Sequence, residues 1–368
     1  MKMRKTYLRK GQSLDDSGTY QIDINIVEQI SQLIIFVEAT NGATSNQGVM
    51  LPTDIDKIEL TDGASVIYSM SGIMSRCLSY HESGKMPPHF YTEAAAGVQK
   101  YCFIINFGRF PGDTEYFFDP AKYKNPQLKI TTSLTISATA GFATGTGSLD
   151  VIANVFSDSV GSSKGFFMAK NIYDFTSVAS GDETIDMPID YPYRMILQRA
   201  YETGIALDTD ISNIKLTCDN DFYIPVDLEM DHIVRLNKNR LGLHTEHHKL
   251  LRTDADAVVT IIPNIEQALA NASLDLDIAS VDDITVNQVT LQLLSVTVVP
   301  AIAKSVTDTD ILLAVQGSAP YFSVSLPFGD LVNEANYFES NRYKSIDLKL
   351  TQGGAGAACS TVIQQIMK

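Results

Sequence analysis

The sequence predicts an all-β chain built as two tandem β-sandwiches with a few short helices. Three observations carry that reading. Four segments recur in the same order in both halves, the hydrophobic period is mostly two, and the few helical signals fall at matching places.

The repeats come first because they fix the architecture. TDIDKIELT (residues 53–61) and TDISNIKLT (209–217) lie 156 residues apart and agree at six of nine positions. SGTYQID (17–23) is echoed by SGDETID (180–186). FGRFPGDTEYF (107–117) returns as FGDLVNEANYF (328–338) with FG and YF at the same spacing, and YKNPQLKI (123–130) returns as YKSIDLKL (343–350). Four weak matches in one order indicate a duplicated domain. A length of 368 residues suits two domains of ordinary size.

The strands follow from alternation. In LKITTSLTISATA, Leu128, Ile130, Leu134, Ile136, Ala138 and Ala140 fall on one parity and polar residues on the other, which predicts one long strand with a buried face. VTLQLLSVTVV alternates through Val289, Leu291 and Leu293 and resumes on the other parity at Val296, which predicts a bulge. Further strands are predicted at TYQIDINI, QLIIFVEA, DKIELT, SVIYSM, KYCFIINF and SLDVIANVF. In the second half they fall at IDMPI, MILQRAY, NIKLT, DFYIPVDL, AVVTII, YFSVSL, IDLKL and TVIQQI. All are short, rich in β-formers and bounded by turn clusters, about seven per half, as a sandwich requires.

Three helices are expected. SGIMSRCLSYHESG has Ser71 as a cap, Ile73, Met74, Cys77 and Leu78 as an apolar stripe, and Gly84 as a stop. Its counterpart EMDHIVRLNKNRLG has Met230, Ile233 and Val234 in the stripe and Gly242 at the stop. NIEQALANA, behind Pro263, reads as a third. From nonapeptide to FG is 46 residues in the first half and 111 in the second, so the second carries an insertion of about 65 residues. The expected boundaries are a basic arm at 1–16, a first sandwich at 17–160, a linker at 161–179, and a second sandwich at 180–368 with its insertion around 230–320.

Composition is that of a soluble globular chain, 45% hydrophobic and 19% charged. The start has no apolar signal core, and the long uncharged stretches are too polar to span a bilayer, which predicts a cytosolic product. Cys77, Cys102, Cys218 and Cys359 are far apart and read as buried, reduced thiols. The net charge is −15, yet Lys2, Arg4, Lys5, Arg9 and Lys10 give the first ten residues five cations and no acid. Two readings of these cations stand: a solvated terminus, or an arm drawn to an anionic partner that the acidic body repels.

Enzyme signatures are absent: no G-x-S-x-G, P-loop, H-E-x-x-H or Rossmann fingerprint. His244, His247 and His248 in HTEHH have chelating spacing but read better as a solvated loop after Gly242. Asp219 with Asp221, and Asp208 with Asp210, read as turn formers rather than calcium ligands. Asp113 and Glu115 in GDTEY form an acid pair that has no matching pair in the second half, where Glu334 and Asn336 stand, so a turn is the better reading. The absence of Trp argues against stacking on sugars.

KIELTDGASVIYSMSG and FGRFPGDTEYFFDPAKYKNPQLKI resemble first-domain segments of double jelly-roll major capsid proteins of tailless icosahedral phages, the corticovirus and finnlakevirus kind. The resemblance covers about forty residues in sequence, and the whole chain in organisation. FGDLVNEANYF departs from it, lacking the Pro-Gly turn. The resemblance implies two eight-stranded jelly rolls, homotrimers that tile an icosahedral shell, and no cofactor. It further implies penton and minor capsid proteins as partners, and a virion location after assembly in host cytoplasm. The cations Lys2, Arg4, Lys5, Arg9 and Lys10 would then face the genome or an internal membrane. A paired jelly-roll enzyme, of glycan-amidase or copper-monooxygenase type, and a surface or adhesion sandwich remain the alternatives.

Overall fold

The computed structural model describes residues 2–46, 48–253, 258–261, 266–274, 283–286, 289–291 and 308–368, with side chains described outside 248–313. The first half holds β1 (Met3–Leu14), β2 (Ser17–Asp23), β3 (Ile30–Asn46), β4 (Ile55–Asp62), β5 (Ser65–Met70), helix α1 (Gly72–Ser83), β6 (His89–Phe90), β7 (Val98–Asn106), β8 (Pro126–Ser133), β9 (Ala140–Phe142) and β10 (Gly147–Phe156). Two sheets face each other, β1-β10-β3-β7 and β2-β8-β4-β5, with β6 and β9 flanking the first.

The second half runs β11 (Phe166–Thr176), β12 (Gly181–Asp186), β13 (Tyr193–Tyr201), α2 (Leu207–Asp210), β14 (Ile211–Cys218), β15 (Tyr223–Glu229) and α3 (Met230–Leu241). The insertion follows as β16 (His244–Thr253), β17 (Val258–Ile261), β18 (Glu266–Leu274), β19 (Asp283–Val286), β20 (Val289–Leu291) and β21 (Asp308–Ser318). The chain closes with β22 (Ser323–Pro327), β23 (Ile346–Gln352) and β24 (Ala358–Met367). The two sheets of this half are β11-β24-β13-β22 and β12-β23-β14-β15, the order of the first half repeated strand for strand. Each half is an eight-stranded jelly roll.

Register shows how closely the halves correspond. Ile58 stands opposite Ile130 and Ile22 opposite Leu128; their duplicates pair as Ile214 with Leu350 and Ile185 with Leu348. Even the bulges coincide, after Ile55 and after Ile211, after Tyr7 and after Asn171. A bulge re-aims every residue beyond it, so keeping it keeps the same side chains inward. The aromatic corner is also duplicated: Phe107, Phe118 and Tyr123 stack in series, as do Phe328, Phe338 and Tyr343. Backbone bonds match Phe118, not Phe117, with Phe338, since each exchanges both bonds with the equivalent residues Ile30 and Tyr193. The equal FG-to-YF spacing therefore misaligned the copies by one. Phe117 is the extra residue and packs on Phe156 instead.

Five further expectations are corrected. Residues 1–16 are not an arm, because Met3–Leu14 pairs along β10, and residues 161–179 are not merely a linker, because Phe166–Thr176 pairs along β24. Each is the first strand of its jelly roll. LKITTSLTISATA is not one strand: β8 ends at Ser133, and residues 134–139 turn over the sandwich end, where Asp54 accepts bonds from Thr135. The described part of NIEQALANA, residues 266–272, forms strand rather than helix, because Glu266–Leu274 pairs with β21. HTEHH opens strand β16 on the other side of β21, not a loop. The expected bulge at Val296 lies outside the described residues.

The expected helices α1 and α3 are present. Ser71 caps α1 by accepting from the Met74 N–H, and Gly84 ends it in the left-handed conformation at φ 71. In both halves the helix follows the fifth strand, and in the second half the insertion follows the helix.

Candidate functional site

The most elaborated polar chemistry lies where the two jelly rolls meet. β11 adds to the edge of β5 in parallel, with Ala169 opposite Tyr68 and Lys170 opposite Ser69. α1 lies between the rolls and buries every side chain from Met74 to His81. Its duplicate, α3, buries only Met230, Ile233, Val234 and Asn237.

Buried charge is concentrated here. Arg194 Nη1 stands 3.2 Å from Glu82, and both side chains are nearly inaccessible. Asn106 and Gln364 also donate to Glu82, at 2.6 and 2.5 Å, while Arg194 Nε donates to the Leu331 carbonyl. Arg76 is fully buried and donates to Tyr321 Oη and to the carbonyls of Cys102 and Pro87. Such groups tolerate burial only when every donor is used. His81 lies between Ser323 and Ser325 at 3.1 and 3.0 Å. Burial, with Arg240 close by, pulls its pKa down to about 3, which favours the neutral imidazole.

The duplicate of this junction is open. Ser79 Oγ donates to the Ile104 carbonyl as Asn237 Nδ2 donates to the Ser325 carbonyl, which aligns the helices and makes Leu78 and Leu236 equivalent. Leu78 is 3% exposed and Leu236 is 57% exposed. The sheet faces tell the same story. On the second jelly roll, Val362, Leu197 and Ser325 lie in line across the sheet and are buried under α1. Their equivalents Ile152, Ile34 and Ile104 continue the line from Tyr7 across the first jelly roll, and are only half-buried. Tyr7 and the neighbouring Phe36 are 51% and 38% exposed.

Arg4, Lys5, Arg9 and Lys10 are exposed along β1, and Lys2 is exposed just before it. Arg4 pairs with Glu28, and Lys10 lies 5.2 Å from the Tyr7 ring. The remaining sequence candidates have structural roles. Asp113 and Glu115 both bind Arg109, Asp219 accepts from the Lys344 and Ser345 amides, and Asp221 pairs with Lys215. Asp210 is different: it is fully buried, and both of its carboxylate oxygens lack a donor. Among the described residues no cluster of three or more His, Cys, Asp or Glu side chains is placed to hold a metal ion, and no helix is long and apolar enough to cross a membrane. All four cysteines are free and buried.

No sequence cue marked the Arg194–Glu82 junction, because its members lie 112 residues apart and fall among ordinary charged positions. The one available signal was that α1 has no fully polar face, unlike α3.

No protein-family model and no curated protein matches the sequence. Solved structures do match the fold. The STIV major capsid protein is similar at TM-score 0.60 and 11% identity, over 99% of this chain and 96% of that one. The major capsid protein P2 of bacteriophage PM2 is similar at 0.55 and 10%, over 100% and 98%. The PBCV-1 virus capsid protein is similar at 0.60 and 8%, over 99% and 93%. With its two jelly rolls in the same strand order, this chain has the fold of the double jelly-roll major capsid proteins.

Proposed function

We propose that the chain is the building block of an icosahedral virus shell, a major capsid protein that acts as a homotrimer and has no catalytic role. The observation that supports this reading most is the contrast between α1, covered on both sides, and α3, covered on one. If α3 of one copy lies on the open sheet face of the next as α1 lies on the second jelly roll, each contact repeats the internal one. Three copies of two rolls then close a ring of six similar units. Such a heterologous contact closes only at a fixed rotation, and a six-cornered ring tiles a hexagonal lattice. The fold shared with capsid proteins supports the same reading. In this reading the shell of trimers meets penton and minor capsid proteins, resides in the virion and assembles in host cytoplasm.

The test is the particle mass of the purified protein. Three chains of 40.3 kDa give about 121 kDa, and sedimentation with class averages showing six-cornered particles is expected. A stable monomer at micromolar concentration would overturn the proposal.

A further inference from the structure

We propose that the basic strand β1 is an edge-to-edge partner for β15 of a second copy, pairing in parallel as β11 pairs with β5 inside the chain. The inference rests on the trimer reading and names a strand contact within it.

The geometry comes from the duplication. β5 has its outer edge taken by β11, with Tyr68 opposite Ala169 and Ser69 opposite Lys170. β15 is the duplicate of β5, since Met70 pairs with Ile58 as Leu228 pairs with Ile214. β1 is the duplicate of β11, since Lys5 pairs with Asn154 as Ala169 pairs with Gln364. Both duplicates are sheet-edge strands, β1 paired only with β10 and β15 only with β14 among the described strands. Carrying the internal register across places Val226 opposite Lys5 of the neighbour, and Asp227 opposite its Thr6. An open edge is a row of unused backbone donors and acceptors, and pairing is how such a row is satisfied.

Charge selects the partner. Residues 1–10 hold five cations and no acid, whereas residues 219–231 hold Asp219, Asp221, Asp227, Glu229 and Asp231 and no cation. Two β1 edges repel each other, as do two β15 edges, so only the β1–β15 combination is attractive. That is the combination a closed ring needs. The internal pair, already tethered by the chain, carries little charge, and β5 has none. Charge is therefore placed where two separate molecules must find each other, which is where steering acts.

A genome or lipid surface fits these cations less well. β1 is fixed along the flank of the sandwich, and at about 3.3 Å per residue Arg9 sits some 20 Å from the end that Met3 reaches. A flat anionic surface meeting that end would touch Lys2 and Arg4 and leave Arg9 and Lys10 unused.

The experiment joins Thr6→Cys and Asp227→Cys in one chain and oxidises the assembled protein. A ladder of covalent dimer and trimer bands on a non-reducing gel is expected, with no bands beyond the single chain from either single variant. As a second measure, Lys5→Glu with Arg9→Glu should weaken trimer association at least about tenfold, and adding Asp227→Lys with Glu229→Lys should restore it. A wild-type trimer whose double-cysteine variant never cross-links, and whose charge reversal changes nothing, overturns the strand pairing but leaves the trimer standing. Intact charge-reversed trimers that lose binding to DNA or to phosphatidylglycerol vesicles also overturn it, in favour of a genome- or lipid-facing strand. A monomeric wild type shows up before any variant is made, and removes the trimer reading and this one together.

Discussion

Helices α1 and α3 are copies of one element with opposite surroundings. Both follow the fifth strand of a jelly roll and bond the same carbonyl position of the equivalent strands β7 and β22. Yet α1 is buried on all sides, while α3 exposes His232, Arg235, Leu236 and Asn239. The difference shows what duplication achieved. One copy of the helix lies in the intrachain junction and has the buried Cys77 and His81 where the other has the exposed Arg235 and Asn239, while the leucine between them, Leu78 or Leu236, is common to both. The other stayed polar enough to be dissolved alone and apolar enough to be covered later, the composition expected of a surface that is wet before assembly and dry after it.

The comparison can be broken or sharpened by substitution, starting with the largest effect. Arg194→Met leaves Glu82 buried without its cation and should destabilise the chain by roughly 3–5 kcal/mol in denaturant titration. Replacing both residues with apolar ones should recover most of that loss. Next, Leu78→Ala should cost about 2–4 kcal/mol through the cavity it opens. The duplicate substitution Leu236→Ala should change the stability of the isolated chain by less than about 0.5 kcal/mol. Equal costs for the two leucines would show that the helices are not differently covered.

Two aspartates sharpen the same contrast. Asp54 accepts from the Thr135 amide and hydroxyl, whereas its duplicate Asp210 has no donor and lies close to Glu202. Gly354 packs against Asp210 so closely that a Cβ there would lie 2.5 Å from its Oδ1. Burial, then the Glu202 charge, raises Asp210 to about 6. A carboxyl raised in the folded state favours folding at pH below its ordinary 3.8, and that contribution is lost as pH climbs through about 6. At pH 7 the ionised group is a net cost, so Asp210→Asn should stabilise by on the order of 2 kcal/mol and flatten the stability profile across that window. Asp54→Ala should instead destabilise by about 1–2 kcal/mol, by orphaning the Thr135 donors. Thermal unfolding at several pH values checks both. The caps differ in the same way: Ser71→Ala should cost about 1 kcal/mol, whereas Glu229, which makes no capping bond, can become Ser with a gain of a few tenths.

Much of this was legible in the sequence, and the gaps have physical causes. The four repeated segments fell on equivalent strands, β2 with β12, β4 with β14, and β8 with β23, and on the aromatic corners. These are places where inward residues cannot drift without losing the core. The first strand of each roll was missed for two different reasons. In β1, two bulges break the period of two, and the outward positions carry cations, so the stretch reads as a solvated tail. In β11, Phe166–Ala169 is buried on both faces by the junction, so alternation is erased and the repeat no longer resembles its partner. The buried charges of the junction were illegible because burial of Arg76, Glu82 and Arg194 depends on the packing of two domains, which no local pattern encodes. The basic residues were noticed for their charge, but sequence alone gave no reason to place them in a sheet.

The central claim is that the contact inside the chain is repeated between chains, and Leu236→Glu tests it most directly. This residue is exposed in the single chain, so the substitution should leave its folding intact while setting an unpaired carboxylate into the contact between copies. Sedimentation of wild type and variant under the same conditions should give about 121 kDa for the first and 40.3 kDa for the second, with identical unfolding curves for the isolated chains. A variant that still sediments as a trimer would contradict the account, because the open face of α3 would then have no part in assembly.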